Sequence, residues 1–285
     1  MLKKKLLVAA LASSFALPVM AADTAPYTVT GNVGFVSDYV FNGISQTFRA
    51  PAIQGGIDYV HTNGVYLGTW ASNVSGNQYT NASMEWDMYG GYNGKVNDDL
   101  GYQVGLLEVM YPGGKANNSP VVGTLTTPYK KWDTTSVILG ATWVGVNVKY
   151  TRTLNNWYGI DANGLAPAMW AAGDTAASGA TGATTADKAN ANSKGSGYLE
   201  ANYTYTFAED VALALHAGHQ KIANFSKLSY TDFKIGISKP YAGFTFGLAY
   251  TKTNATDNNL YHLKINGDDK KMGGSIFALS VSRSL

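Results

Sequence analysis

The chain has 285 residues, a formal net charge of +2 and no cysteine, which excludes disulfides, thiolate catalysis and the strongly basic surface of a nucleic-acid-binding protein. Charged residues make up 14% of the chain, well below the roughly 25% usual for soluble domains, whereas aromatic residues make up 12%. This composition is typical of a membrane β-barrel, although the totals alone leave a soluble periplasmic domain open.

The start of the chain has the features of a secretory signal peptide. Lysines at positions 3–5 precede the apolar stretch 6–17, which is too short to span a bilayer as a helix. Small residues follow, and we place cleavage after Ala21 or Ala22. No later run is long and apolar enough to predict a transmembrane helix.

Alternation of apolar and polar residues predicts about twelve strands, beginning near residues 27, 52, 65, 82, 100, 133, 146, 198, 211, 231, 241 and 275. The strand at 82–92 shows the pattern clearly. Its apolar face carries Met84, Trp86, Met88 and Tyr92, and its polar face carries Ser83, Glu85, Asp87 and Tyr89. The strand at 65–74 is ambiguous, because Val65 and Leu67 compete with Tyr66 and Trp70 for the apolar face.

The connections between these strands alternate between short and long. Asn63-Gly64, Val144-Gly145 and Lys239-Pro240 are predicted tight turns, and Asn63-Gly64 suits one because both residues accept a positive φ. The intervening loops are longer, and the longest is 156–197. Short turns at one end and long loops at the other are typical of outer-membrane barrels.

We therefore predict that residues 22–285, after the signal peptide 1–21, form an all-β, transmembrane, antiparallel up-and-down β-barrel. It would have about twelve strands, with short periplasmic turns and long extracellular loops. A periplasmic β-sandwich is the alternative fold. Aromatic residues near the predicted strand ends indicate two interfacial girdles: Tyr59, Tyr92, Tyr102, Trp143 and Phe207 at one end, and Tyr150 and Tyr250 at the other.

Three segments carry a family resemblance. They are FVSDYVFNGISQTFRAPAIQGGIDYVHTNGVYLGTWASNV at 35–74, EWDMYGGY at 85–92 and YPGG at 111–114. With these segments the chain resembles the TorF-type family of outer-membrane porins. The resemblance implies a barrel with a signal peptide and channel activity, but it identifies no substrate residues. The chain departs from the usual barrel pattern in ending at Leu285 rather than at Phe or Trp.

Polar residues on the other face of the predicted strands would line the lumen, because a charge at the bilayer mid-plane is costly. The predicted channel-lining residues are Gln54, Asp58, Glu85, Asp87, Gln103, Asn147, Lys149, Glu200, Asn202, His216, Asp232 and Lys234. Five acids against two lysines suggest a mild preference for cations. The alternative is that acids and bases pair across the lumen as a structural network.

We predict no metal site and no cofactor, since His216 and His219 would face opposite sides of one strand. Loop 156–197 is either a flexible external loop or a plug with a short helix at 166–172. The hypothesis is a non-enzymatic outer-membrane porin, monomeric or weakly oligomeric, for passive diffusion of small hydrophilic solutes. Its expected partners are outer-membrane lipid, those solutes and the barrel-assembly machinery, with no nucleic acid. The alternatives are a barrel enzyme of the phospholipase or protease type and a surface receptor or adhesin.

Overall fold

The structure is a computed structural model, and it describes residues 25–115, 131–161, 187, 191–207, 210–256, 261–265 and 267–285. The predicted signal peptide therefore lies outside the described residues. Within them, twelve strands form a closed antiparallel barrel, and four short strands form two additional hairpins.

The barrel strands are β1 (Tyr27–Val36), β4 (Ala52–His61), β5 (Val65–Asn73), β6 (Met84–Lys95), β7 (Leu100–Met110), β8 (Thr134–Trp143), β9 (Val146–Thr153), β10 (Gly197–Phe207), β11 (Val211–Lys221), β12 (Tyr230–Tyr241), β13 (Phe244–Thr253) and β16 (Ser275–Ser284). Successive strands pair with each other, and β1 closes the ring against β16. The predicted all-β, up-and-down barrel of about twelve strands is confirmed.

Two hairpins lie in connections that the sequence predicted as plain loops. They are β2 (Val40–Phe41) with β3 (Ile44–Ser45), and β14 (His262–Ile265) with β15 (Asp268–Lys271). The first turns at Asn42 and Gly43, whose φ values of 45° and 79° are the two successive positive values of a type I′ turn. Asn-Gly is the strongest short hairpin signal in a sequence, so this hairpin could have been predicted.

Two turns differ from their predicted form. At the Asn63-Gly64 turn only Gly64 has a positive φ, 100°, because three residues rather than two connect β4 to β5. Lys239 and Pro240 belong to β12 and directly precede its last residue, Tyr241. The turn itself lies at Ala242 and Gly243, with φ of 51° and 81°. Proline cannot adopt a positive φ, so it could not have formed this turn.

The outer surface of the barrel is apolar. The alternation in β6 is as predicted: Met84, Trp86, Met88 and Tyr92 are exposed, whereas Glu85 is buried. The ambiguity in β5 is also resolved, since Leu67 is 57% exposed and Tyr66 only 4%. Exposed apolar residues continue around the ring, for example Ile57, Leu106, Leu139, Ile235, Leu248 and Phe277.

The two ends of the barrel differ as predicted. One end carries the five short connections, the start of β1 and the end of β16, whereas the long connections lie at the other end. Aromatic side chains lie on the outer surface at the short-turn end: Tyr92, Tyr102, Trp143 and Phe207 are all exposed, and Tyr59 stacks on Tyr27 with ring centroids 5.6 Å apart. At the long-loop end, Tyr250 packs against Phe277. No helix in the described residues is both long and apolar enough to cross a membrane.

Candidate functional site: the barrel interior

One wall of the interior, on β4 and β6, carries three carboxylates: Asp58, Glu85 and Asp87. We call these three residues the acidic wall. Among the residues that the structure describes, none of the three forms a salt bridge. This stretch of the interior therefore concentrates carboxyl groups that are not in ion pairs with the described residues.

The acidic wall is held in place by hydroxyl groups and by one glycine. The Tyr89 hydroxyl donates a 2.6 Å hydrogen bond to Asp58 Oδ1, across the intervening strand β5. This contact is possible because the β5 residue between them is Gly68, where a Cβ would clash with both the Tyr89 ring and Asp58. Glu85 accepts hydrogen bonds of 2.7 Å from the hydroxyls of Tyr39 and Tyr111.

Asp87 differs from its two neighbours. Its Oδ1 atom is buried and accepts no hydrogen bond in the described part of the chain. Asp87 lies directly opposite Trp70 on β5, and the ring of Trp70 packs edge-on against Tyr39, with centroids 5.4 Å apart. A buried carboxylate oxygen without a donor is energetically costly, so its presence in a native structure needs a specific explanation.

The opposite wall, on β9 to β12, carries a cluster in which positive and negative charges balance. Lys149 Nζ lies 2.7 Å from Glu200 Oε1, and His216 Nε2 lies 3.0 Å from Asp232 Oδ2. The second lysine, Lys234, is the cross-strand neighbour of His216. We call this the paired cluster.

Hydrogen bonds join the paired cluster into one network. The Tyr198 hydroxyl donates to Asp232 Oδ1 at 2.8 Å, and Asn202 Nδ2 donates to Glu200 Oε2 at 2.9 Å. His216 Nδ1 lies 2.7 Å from Asn202 Oδ1, so both ring nitrogens of His216 face oxygen atoms. Glu200 pairs with Lys149 on one neighbouring strand, and Asp232 contacts His216 on another, so these contacts run along one wall and not across the lumen.

Loop residues close over the lumen at the long-loop end. Five buried aromatic residues and the partly buried Tyr158 meet there from four different connections, and we call the six the aromatic cap: Tyr39, Tyr79, Tyr111, Trp132, Trp157 and Tyr158. Tyr79 stacks on Tyr111 with centroids 4.2 Å apart, and Trp132 packs against Tyr79 at 5.5 Å. Loops that leave the barrel at separate points can meet in this way only across its mouth.

The hairpin β2–β3 reaches from the β1–β4 side to the inner face of β12. A Cβ on Gly43, at its tip, would lie 2.6 Å from Asp232 Cβ. Arg49, just after the hairpin, donates hydrogen bonds to the carbonyl oxygens of Lys271 and Gly273, at 2.7 and 2.6 Å. We call residues 40–45 the constriction hairpin, because it lies across the lumen below the aromatic cap.

Asp38 anchors the base of the constriction hairpin. It accepts a 2.6 Å hydrogen bond from the Ser45 hydroxyl and lies 3.6 Å from Arg49. Burial raises the pKa of Asp38, although the Ser45 hydrogen bond and the charge of Arg49 act in the opposite direction. This carboxyl group therefore keeps a proton to a higher pH than an exposed aspartate does.

All twelve residues predicted to line the channel lie on the inner face of their strands. Six of them are partly exposed there, namely Asp58, Asp87, Gln103, Asn147, Asn202 and Lys234, and the other six are buried. A cavity of about 190 Å³ brings together Gln54, Asp58, Asp87, Lys149 and Glu200 from the predicted set. Their role as channel-lining residues stays a prediction, because an inward position alone does not establish a conducting path.

Sequence reasoning placed Tyr89 on the polar face of β6, but it did not include Tyr39, Trp70 or Tyr198 among the residues of the interior. Tyr39, Trp70, Tyr89 and Tyr198 contact the inward carboxylates or line the cavity. For Tyr89 and Tyr198 the signal available in the sequence was alternation phase, because each has the same parity as the polar residues of its own strand. Trp70 had no such signal, because the polar residues of β5 fall on both faces.

The predicted loop 156–197 is described only in part. Its described ends are buried: Trp157 and Ile160 pack into the aromatic cap, and the Ser193 hydroxyl donates to the carbonyl of Ile160 at 2.6 Å. The helix expected at 166–172 lies outside the described residues.

The histidines offer no catalytic arrangement of the serine-hydrolase type in the part of the chain that the structure describes. His216 contacts Tyr198, Asn202 and Asp232, whereas His219 faces outward and contacts Thr231. No cluster of three or more potential metal ligands is present among the described residues.

A family described as "Bacterial protein of unknown function (Gcw_chp)" matches residues 20–285. The chain belongs to the Gcw_chp family. No curated protein matches it. The match does not carry the TorF-type name, which stays a prediction from the sequence.

Solved structures similar to this Gcw_chp protein include several porins. The KdgM porin has 10% identity and a TM-score of 0.48, with 90% of this chain and 99% of that chain covered. The NanC porin has 10% identity and a TM-score of 0.48, with 90% and 100% covered. OprD of Pseudomonas aeruginosa has 11% identity and a TM-score of 0.34, with 90% and 66% covered. At these values the likeness adds nothing to the strand pairing, which establishes the barrel by itself.

Proposed function

We propose that this Gcw_chp protein is an outer-membrane diffusion channel for small hydrophilic solutes, with a preference for cations. One observation carries the proposal: the twelve-stranded barrel is closed, its outward side chains are mostly apolar, and its charged cluster and acidic wall face inward. In water such an outer surface would be unstable, and in a bilayer it matches the hydrocarbon. Outer-membrane lipid, the permeating solutes and the barrel-assembly machinery are its proposed partners.

The cation preference follows from the charges on the two walls. In the paired cluster Glu200 lies 2.7 Å from Lys149, and the two acids Glu200 and Asp232 share one wall with two lysines, Lys149 and Lys234. Asp58, Glu85 and Asp87 have no such ion pairs in the described residues, so the acidic wall supplies the net charge of the lumen. Rings or walls of carboxylates favour cations in pores.

The constriction hairpin and the aromatic cap support a narrow channel rather than a wide one. Gly43 packs against the inner face of β12, and the cap buries Tyr79, Tyr111 and Trp132 over the lumen. Solutes would therefore pass close to the acidic wall. Such a channel admits small solutes, and its conductance depends on movement of the cap.

Planar-bilayer recordings with the purified, full-length mature chain test this proposal. In a potassium chloride gradient, the reversal potential should show cation selectivity, and the double variant Asp58→Asn, Asp87→Asn should move it towards zero. The control is Glu108→Gln. Glu108 lies on the outer face of β7, the same face as the exposed Leu106, so this variant should leave the selectivity unchanged. Absence of any conductance, or anion selectivity, would overturn the proposal. Liposome swelling with neutral sugars of increasing size then defines the limit on solute size.

A barrel enzyme and a surface receptor are the other classes. No observation among the described residues favours either class. A serine-type enzyme would need a histidine that is hydrogen-bonded to a serine hydroxyl, and the four histidines of the sequence make no such bond in the described part of the chain. Assays for lipid and peptide hydrolysis by the same preparation distinguish the enzyme from the channel.

A further inference from the structure

The cavity beside the acidic wall has a composition that a neutral diffusion path does not require. It has a volume of about 190 Å³, far above the roughly 10–15 Å³ that a single water needs, so it has room for a small organic ion. Its wall combines three carboxyl groups, those of Asp58, Asp87 and Glu200, with seven aromatic rings. The rings are those of Tyr39, Phe41, Trp70, Tyr89, Trp157, Tyr158 and Tyr198.

Two of the carboxyl groups that line this cavity, those of Asp58 and Asp87, form no salt bridge in the described residues. Asp87 lines the cavity and has a buried Oδ1 without a hydrogen-bond donor in the described part of the chain. Asp58 receives one hydrogen bond, from Tyr89. Lys149 also lines the cavity, but it lies 2.7 Å from Glu200, which neutralises its charge. The surplus charge of the cavity is negative.

The aromatic residues narrow the class of positive ligand. A tightly hydrated metal ion needs several oxygen ligands, and the described residues contain no cluster that could hold a metal. The face of an indole or phenol ring attracts a weakly hydrated organic cation instead, and the attraction reaches about 2 kcal/mol or more when the pair is desolvated. Trp70 lies directly across from Asp87, which places a ring beside the carboxylate that lacks a donor.

We propose that this cavity is a selective subsite for small organic cations of the alkylammonium type, with Asp87 supplying the countercharge and Trp70 an aromatic face. The inference rests on the proposed function, since it names the class of solute that the channel would favour. The constriction hairpin forms one side of the subsite through Phe41 and Asn42. A solute that crosses the lumen therefore passes between this hairpin and the acidic wall.

Equilibrium binding tests the subsite without requiring conduction. Calorimetry on the purified mature chain in detergent compares choline with its uncharged tert-butyl isostere, which has nearly the same shape. We expect choline to bind at least about tenfold more tightly, the ratio that corresponds to loss of one charge-assisted contact. Equal binding of the two probes would overturn the proposal, because shape alone would then explain it.

Matched variants assign the binding to the named residues. Asp87→Asn should weaken choline binding about tenfold, and Trp70→Leu about five- to tenfold, whereas Trp70→Phe should recover part of the loss because it restores an aromatic face. Glu108→Gln, on the outer face of β7, is the control that should bind choline as the parent chain does. Heat-modifiable migration on a gel confirms that each variant is folded. Unchanged binding by both folded cavity variants would refute the assignment.

Bilayer recordings then separate the subsite from the proposed function. If the chain conducts, choline should reduce the potassium current and the isostere should not. Conduction with no preference for choline over the isostere would refute the subsite and leave the channel standing. Selective choline binding by a chain that conducts no ions would refute the channel and leave the subsite standing.

Discussion

Replacing Val104 with arginine tests whether lipid covers the outside of the barrel. Val104 is 47% exposed and is the fifth of the eleven residues of β7, so it lies near the middle of the apolar band. An arginine facing the bilayer mid-plane costs about 2–4 kcal/mol, falling to about 0–1 kcal/mol near the interfaces. We expect Val104→Arg to lower the free energy of unfolding by about 2–3 kcal/mol.

The neighbouring residue provides the matched control for this experiment. Gln103 lies on the inner face of the same strand, so Gln103→Arg places the same charge in the lumen and should cost less than about 1 kcal/mol. Reversible urea unfolding in lipid vesicles measures both variants. A larger loss for Gln103→Arg than for Val104→Arg would show that the two faces had been assigned the wrong way round.

Three further predictions concern the long-loop end of the lumen. Glu85→Gln weakens the hydrogen bonds from two tyrosine hydroxyls and should destabilise the aromatic cap by about 1–3 kcal/mol. Limited proteolysis should then cleave the loops faster, and an unchanged cleavage rate would contradict this prediction. Gly43→Val should displace the constriction hairpin and raise the single-channel conductance. The valine Cβ would lie 2.6 Å from Asp232 Cβ, and the φ of 79° at this position disfavours a β-branched residue. A conductance equal to that of the parent chain would contradict this prediction. Burial raises the pKa of Asp38, so its contribution to loop stability is fully present below about pH 3.9, the ordinary value, and is lost as the pH rises through the higher folded value. Asp38→Asn should therefore flatten the pH dependence of loop proteolysis, and an unaltered pH profile would refute this assignment.

The sequence was sufficient to predict the barrel because its main determinant is local. Alternation with a period of two placed Met84, Trp86 and Met88 outside and Glu85 and Asp87 inside, and the structure agrees. The same rule failed to decide β5, where Tyr66 and Trp70 are as apolar as Val65 and Leu67. There the interior accepts the Tyr66 ring because glycines on the next two strands leave room for it. A Cβ on Gly91 of β6 or on Gly105 of β7 would clash with the Tyr66 hydroxyl.

The interior of the barrel could be predicted only in part. The twelve inward polar residues follow from strand phase, but their partners depend on which strands are adjacent and on the pairing register. Thus Lys149 neutralises Glu200 on the next barrel strand, whereas Glu85 is held by tyrosines from two separate loops. The constriction hairpin had a local signal in Asn42-Gly43, but its contact with Asp232 joins residues far apart in the chain, and no periodic pattern reports such a contact.

Fluorescence quenching by lipids with brominated acyl chains tests the central claim most directly, because bromine quenches only tryptophans that touch the hydrocarbon. Trp86 is 40% exposed on the outer face, whereas Trp70 lines the interior cavity. We compare two variants, each of which retains either Trp86 or Trp70 and has phenylalanine in place of every other tryptophan. We expect strong quenching of Trp86 and little quenching of Trp70. Strong quenching of Trp70 with Trp86 unaffected would contradict a barrel that turns its apolar face to lipid and its charged face to the lumen.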